Sequence, residues 1–479
     1  MTTNFWAKGR LFLSTIGASL ALAVFEVLFS SAVWIQSGGV VFYRNLHQVT
    51  TCAPITVHIW LVTGCFIVLE LVTAAITYRN RLPGITTVVT PMWALLHLGC
   101  VLQTLLSSPA DSWKHTVTIA VGILALVAGM IVARSAARVP TRDKGPALRG
   151  YLWVVGILAF ILTGNGLLHR TNGSAGFFFG LTTADYFQLA LIGFVALGGV
   201  PAMQQDKPLR KAFVLEMLAI ATCQVLLHSV GNGAILFVML LLLIYISYGK
   251  KAAAYAAALG AILCGAGVAL LRMFMPDSYM MTRLANTFTV LRNGGSNQNH
   301  RRALLALLRS GLNGSGAGDT LYTSLNFAAS NDWSFLSAAS IFGAFTGLLI
   351  LLCYAALALA LRQRIQHSGE NATLANTGNL ISGLLLTQTV IHVLGSLNLI
   401  PFTGLNAPLL SVGGSSMLTT CAGIGLAIGY RVPETCFRRL PNFMGRLARL
   451  GARIDILCQG LVKRVKAIFA PKKRGACSR

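Results

Sequence analysis

Long apolar runs separated by short polar breaks dominate this chain. Runs near the roughly 20 residues a helix needs to cross a bilayer fall at 11–35, 57–77, 86–106, 115–134, 150–168, 185–203, 212–229, 232–248, 252–272, 333–361, 375–400 and 408–430. Continuous apolarity over such lengths predicts helices rather than half-buried strands. The expected fold class is an all-α polytopic membrane protein with about twelve transmembrane helices. Within 212–248, Gly231-Asn232-Gly233 either interrupts one long region or turns between two helices.

Charge placement supports that count. One set of connections carries Lys8 and Arg10, Arg79 and Arg81, Arg134 to Arg149, Lys207 to Lys211, Lys250 and Lys251, Arg362 and Arg364, and the C-terminal tail. The alternate short connections hold only Arg44, Lys114 and Arg170. By the positive-inside bias both termini are expected on the cytoplasmic side. The connection 273–332 then faces outward despite its arginines, as long loops are largely exempt from the rule. Lys8 and Arg10 precede an apolar run that outlasts a signal-peptide core and contains Glu26, so it reads as a retained anchor.

The composition, 55% hydrophobic and 11% charged, excludes an ordinary soluble domain, which carries roughly 25% charged residues. The formal net charge of +25 belongs to topology and anionic lipid, not to nucleic acid. The ten cysteines form no C-x-x-C or Cys/His cluster, so neither a disulfide framework nor a zinc site is expected. In the tail, 433–479, Phe443, Leu447, Leu450, Ile454, Leu457, Leu461, Val465 and Ile468 recur at helical spacing with arginines and lysines between them. That pattern predicts an amphipathic helix on an anionic inner leaflet. A solvated tail, or a helix docked on a partner, is the alternative.

The most informative stretch is Pro401-Phe402-Thr403-Gly404-Leu405-Asn406-Ala407-Pro408-Leu409-Leu410-Ser411-Val412-Gly413-Gly414-Ser415-Ser416, a break between two apolar runs. Non-helical backbone at membrane depth must be buried in protein or line a watery cavity. The stretch resembles the P-x-T-G-x-x-x-P-x-x-S-x-G-G-S-S signature of the SEDS family (shape, elongation, division, sporulation), the group of FtsW, RodA and SpoVE. Asn331-Asp332-Trp333-Ser334-Phe335, followed by Gly343 and Gly347, is similar to the family's T-D-F-x-F…G-x-x-G stretch with its essential aspartate. Ser310 to Gly316 resembles the Gly-rich segment just upstream. Without the resemblance, an Asp opening a helix reads first as an N-cap. Gly180 to Gln188 resembles Q-P-S-E-x-x-K, with Asp185 on the glutamate and Gln188 on the lysine; an acid there is either a cap or an inward-facing functional group. Three departures stand out: Gln188 carries no charge, Gly231 replaces an acid, and Ser340-Ile341 stand where two glutamates are common.

The resemblance implies a ten-helix SEDS-like core at 81–432, with two additional N-terminal helices in 1–80. It implies a peptidoglycan glycosyltransferase in the bacterial inner membrane that polymerises lipid II, in which the acceptor GlcNAc 4-hydroxyl attacks the donor MurNAc C1 and undecaprenyl pyrophosphate leaves. Asp332 is the candidate base and Asp185 the second acid. Thr403, Ser411, Gly413, Gly414, Ser415 and Ser416 would shape the substrate cavity. Arg283, Arg301, Arg302 and Arg309 are candidates for the pyrophosphate, since guanidinium forks match phosphate oxygens; external surface charge is the alternative for them. Mg2+ or another divalent cation would suit the leaving group, with no metal ligands assigned, and a class B penicillin-binding transpeptidase would be the partner. The three departures support a rival expectation, a non-catalytic scaffold or regulator of a transpeptidase. A lipid transporter is a third, since Gly/Pro breaks at midplane also suit transport. Glu26, Glu70 and Glu216 are expected to pair with Arg or His such as His392, or to sit near an interface; His392 itself reads as a packing histidine.

Overall fold

A computed structural model of the chain describes residues 11–44, 50–139, 141–168, 177–178, 181–226, 230–274, 281, 284, 287, 298–316, 330–363, 372–432 and 443–469. Arg283 lies outside them. The described chain is helical apart from two antiparallel hairpins, Val40–Arg44 with Thr50–Pro54 and Phe177–Phe178 with Leu181–Thr182. In chain order the helices are α1 (Ala18–Ser37), α2 (Thr56–Arg79), α3 (Pro83–Leu106), α4 (Pro109–Ala137), α5 (Thr141–Leu168), α6 (Thr183–Ala196) and α7 (Gly199–Gln205). They continue as α8 (Lys207–Leu226), α9 (Val230–Tyr248), α10 (Lys250–Phe274), α11 (Gln298–Ser310), α12 (Ser334–Phe342), α13 (Ala344–Leu361), α14 (Ala372–Ser396), α15 (Gly414–Gly429) and α16 (Phe443–Phe469).

Nine helices among the described residues are long and apolar enough to cross a membrane, or ten if α6 and α7, bent by 64°, make one span. The expected twelve differ from this for local reasons. The run at 212–229 lies in α8, which is not among those nine and carries Lys207, Arg210, Lys211 and Glu216. The run at 333–361 still supplies one span, α13, but only after a break at Gly343, where φ of +92° suits a residue without a side chain. The run at 408–430 yields only α15, whose 16 residues rise about 24 Å, short of the roughly 30 Å hydrocarbon core. That shortness leaves room for irregular backbone ahead of it.

Two helices form the centre. In α3 the core includes Val88, Met92, Leu95, Leu96 and Leu102, and in α15 it includes Met417, Cys421, Ile424 and Ile428. Close backbone approach through glycine brings α15 onto α4: a Cβ on Gly129 would meet the Ala422 carbonyl at 2.5 Å, and one on Gly429 the Met130 carbonyl at 2.6 Å. Small-residue contacts of this kind drive helix association where lipid offers no hydrophobic gain.

The tail helix α16 does not stand apart from the bundle. It lies along α5, with Gly150 and Gly451 in direct backbone approach. Arg149 Nε donates to Asp455 Oδ2 at 2.8 Å, and Arg149 also pairs with Asp206. The expected amphipathic face is present but split: Ile454 turns toward the bundle while Ile456, Leu457 and Leu461 are exposed.

Among the described residues the acids of the additional helices find no histidine or arginine partner. Glu26 of α1 is fully buried and neither carboxylate oxygen has a donor among the described residues. Glu70 of α2 accepts from Thr90 at 3.2 Å through one oxygen. An unsatisfied buried polar group costs about 1–3 kcal/mol by mutational measure. Glu26→Leu is therefore expected to raise the unfolding temperature in detergent, by the equivalent of about 1–3 kcal/mol. A lower unfolding temperature would show that Glu26 has a partner outside this chain.

Candidate active site

The turn Ser330–Trp333 is held by partners from α3 and from the break 401–416. The Ser330 carbonyl accepts from Gln103 Nε2 of α3 at 2.9 Å and from the Val412 amide at 3.3 Å. The Asn331 carbonyl accepts from Ser411 Oγ at 2.9 Å. Ser411 has one proton, so its other contacts are received: the Ala407 amide donates at 2.7 Å and Ser334 Oγ lies at 2.6 Å. The turn and the break 401–416, far apart in sequence, are thus fastened at one hydroxyl.

His392 of α14 is the second fastening. Its Nδ1 lies 2.6 Å from the Leu405 carbonyl, which can only accept, so Nδ1 carries the proton. Nε2 is then an acceptor, and it takes the Phe335 amide at 3.4 Å and faces Ser334 Oγ at 3.4 Å. His392 is a satisfied packing histidine, as its sequence context suggests. Tyr354 of α13 donates to the Pro408 carbonyl, and Gly99 of α3 admits the Leu409 and Leu410 carbonyls, which a Cβ there would meet at 3.1 and 2.9 Å. Held this way, Leu409 keeps a left-handed φ of +65°, a conformation that costs a side-chain-bearing residue about 1–2 kcal/mol.

Asp332 sits at this junction, half-buried. Trp333, not Asp332, occupies the N-cap position of α12, and that helix has no side-chain cap. The capping role that helix-start logic assigns to Asp332 is therefore not taken up. Its carboxylate instead lies against Gly404: a Cβ built there would stand 3.4 Å from Asp332 Oδ2. Gly404 has φ +63°, so glycine serves two needs, the left-handed backbone and an open approach to the acid. Gly404→Ala should cost about 1–2 kcal/mol of stability from backbone strain. Gly404→Val should in addition displace Asp332, giving a larger loss in whatever activity the acid carries than in thermal stability. Equal losses of both would deny Gly404 a role at Asp332.

Aromatic packing closes the outer side. His300 of α11, Trp333 and Phe402 form a trio with ring centroids 5.4 to 5.9 Å apart. His300 Nε2 faces the Ser396 carbonyl at 2.7 Å, and burial lowers the pKa of the ring below the ordinary imidazole value. The Ser396 carbonyl can only accept, so Nε2 of His300 carries a proton. Gln103 and His300 were not singled out by sequence; a lone amide within an apolar run is the one signal that Gln103 offers.

Asp185 lies elsewhere. Thr182 caps α6, accepting from the Asp185 amide at 3.3 Å and donating to its carboxylate. The Thr182 hydroxyl thus serves as the N-cap acceptor and at the same time holds the carboxylate. The carboxylate also meets Ser415, and Thr419 Oγ1 approaches the Asp185 carbonyl at 3.5 Å. Asp185 thus reaches the start of α15, whereas Asp332 reaches Gly404, ten residues before that helix. Of the remaining candidates, Gly413 admits Asn406 Nδ2, Gly414 faces Thr118, and Ser416 Oγ is buried without a partner among the described residues.

The three departures each have a local structural account. Gln188, fully buried, accepts from Gln388 Nε2 at 3.3 Å. Gly231 gives Thr403 and Leu405 room, since a Cβ there would lie 2.8 Å from Thr403 Cβ and 3.0 Å from Leu405 Cγ. Ser340 and Ile341 offer their carbonyls to Ser315 and Gly316, at 2.9 and 3.0 Å, so the Gly-rich segment docks on the break at Gly343.

The family model for FtsW, RodA and SpoVE, described as cell cycle protein, matches residues 86–432. The chain belongs to that family. The match begins in α3 and ends just past α15, leaving α1, α2 and the tail helix of this SEDS protein outside it. A protein named probable peptidoglycan glycosyltransferase FtsW from Lactococcus lactis subsp. lactis (strain IL1403) is 29% identical over 238 residues, 46% of this chain and 55% of that protein. The alignment thus spans little more than half of that relative. A protein of the same name from Coxiella burnetii (strain RSA 493 / Nine Mile phase I) is 25% identical over 318 residues, 64% of this chain and 84% of that protein. Among solved structures, a chain from work on structural coordination of polymerization and crosslinking by a peptidoglycan synthase complex shares the fold. Its TM-score is 0.54 at 18% identity, over 72% of this chain and 96% of that one. The SEDS chain is a multi-pass membrane protein.

Proposed function

We propose that this SEDS protein is a peptidoglycan glycosyltransferase that polymerises lipid II. The observation that carries the reading is the meeting of Asp332 with Gly404, which joins a half-buried turn acid to the Gly/Pro/Ser break. A sugar hydroxyl is a poor nucleophile, and a carboxylate within hydrogen-bond reach supplies the base it needs. In this reading Asp332 takes the proton of the GlcNAc 4-hydroxyl as that oxygen bonds to MurNAc C1. The C1–O bond to undecaprenyl pyrophosphate breaks, and its electron pair leaves with the phosphate. The names borne by the relatives support the same chemistry.

Among the described residues no three His, Cys, Asp or Glu side chains gather, so they build no dedicated cage for a divalent cation. Mg2+ would instead arrive on the pyrophosphate and keep its waters, a mode it commonly adopts, and there it would neutralise the leaving group. Placement in the bacterial inner membrane with both termini cytoplasmic rests on the alternation of basic connections. A class B penicillin-binding transpeptidase as partner is supported by the shared fold with a chain of a peptidoglycan synthase complex. The exposed basic face of α16 suits anionic lipid.

A second reading, a non-catalytic SEDS scaffold, is favoured by one observation: uncharged side chains fill the sites at Gln188, Gly231 and Ser340. Purified protein with its transpeptidase and labelled lipid II decides between them. Glycan strands formed by wild type exclude a pure scaffold, and their absence under conditions active for a related enzyme would sink the catalytic reading.

A further inference from the structure

A cavity of about 390 Å3 lies between the C-terminal ends of α4, α6 and α15, the start of α5, and the tail helix α16. Its size falls within the roughly 300–1,000 Å3 of ligand pockets. The walls are apolar, with Val132, Ala136, Leu197, Leu447 and Ile454 among them. Tyr151, the aromatic alcohol in the wall, spends its hydroxyl on the Ala190 carbonyl at 2.8 Å. One cation stands at the wall. Lys144 is half-buried, its Nζ 3.6 Å from where a Cβ on Gly198 would be. It has no hydrogen bond or ion pair to any described residue. Arg149, one turn on, contrasts with it, being neutralised by both Asp206 and Asp455.

We propose that this cavity holds one anionic glycerophospholipid, with an acyl chain among the apolar walls and its phosphate on Lys144. An apolar chamber with one ammonium that pairs with no described residue matches a chain attached to an anion, and no polar solute. Basic pockets between membrane helices on the cytoplasmic side take such headgroups. The chamber is distinct from the candidate active site: Leu426 borders it, whereas the break 401–413 precedes the other end of α15, about 18 Å away along that helix. The lipid lies beneath α16, so it cements the tail to the bundle alongside the Arg149–Asp455 pair. Its assignment to the inner leaflet follows the topology proposed above; its existence does not depend on catalysis.

Native mass spectrometry of the full chain in detergent, titrated with dioleoylphosphatidylglycerol or dioleoylphosphatidylcholine, tests the site. Wild type should retain one phosphatidylglycerol and favour it about fivefold, the preference expected of one cation near an anionic headgroup. Lys144→Gln should remove that preference and Lys144→Arg should keep it. Val139→Trp, which fills the chamber from the α4–α5 turn, should lower retention of both lipids. The double variant Arg446→Gln/Arg449→Gln, on the exposed basic face of α16, should weaken only the lipid which that face attracts, leaving the one retained phosphatidylglycerol and its dependence on Lys144 in place. The proposal is overturned if wild type retains neither lipid, if Lys144→Gln or Val139→Trp binds like wild type, or if the Arg446/Arg449 variant alone loses phosphatidylglycerol. Unfolding temperatures and gel-filtration profiles check each variant. If Lys144→Gln does not fold, Lys144→Arg and Val139→Trp still decide.

Discussion

Asp332→Asn should reduce lipid II polymerisation by about 10²–10⁴-fold, the usual worth of a positioned general base. The substitution keeps the shape of the side chain against Gly404 and removes its ability to take a proton. Its effect on stability should be small. Asp332 is neither the N-cap of α12 nor fully buried, and a negative charge beside a helix start is worth about 0.3–1 kcal/mol. The measurement is strand formation by the purified protein with its transpeptidase, alongside the unfolding temperature of each variant. Asp332→Glu, which restores the carboxylate on a longer arm, should recover part of the rate. Polymerisation by Asp332→Asn at the wild-type rate would remove the base from the proposed mechanism.

Ser411→Ala should cause the largest loss of stability at the site, roughly 2–5 kcal/mol. The serine hydroxyl receives the Ala407 amide, donates to the Asn331 carbonyl and meets Ser334 Oγ. Alanine strands the amide and the carbonyl, and each buried group left unsatisfied costs about 1–3 kcal/mol. Ser334 loses less, since it can turn toward His392 Nε2 at 3.4 Å. A double-mutant cycle of Ser411→Ala with Ser334→Ala should show a coupling of about 0.5–3 kcal/mol. Ser416→Ala is the contrast: its buried hydroxyl has no partner among the described residues, so the change should leave stability unchanged or raised. If Ser411→Ala unfolds at the wild-type temperature, the fastening of turn to break is not what holds Asp332 in place.

These two variants separate what the sequence made visible from what it did not. The break 401–416 and the acid at 332 were both legible, because Gly, Pro and Ser interrupting an apolar run are rare and Asp beside a membrane helix is costly. Their contact was not legible. It depends on Gly99, Gln103 and Tyr354, each unremarked within its own apolar helix, and on His392, legible only as a packing histidine; these residues converge only when α3, α13 and α14 are packed. Asp332 and Asp185 illustrate the limit from the other side. Both stand at helix starts, where local logic offers the same choice between cap and functional acid. Packing resolved them differently: Thr182 and Ser415 engage Asp185, while α12 begins with an uncapped Trp333 and leaves its acid on Gly404.

The sequence alone determined the membrane class, the helical composition, the basic tail and the family, since all of these follow from residue type and spacing along one strand of chain. Tertiary structure decided the number of full-length spans, the docking of α16 on α5 and the assembly of the candidate site. The physical reason is shared. Bends at Gly198 and Gly343, a helix of 16 residues in place of a full span, and backbone approaches such as Gly150 to Gly451 are permitted by glycine anywhere. They are realised only where a neighbouring helix repays the close contact.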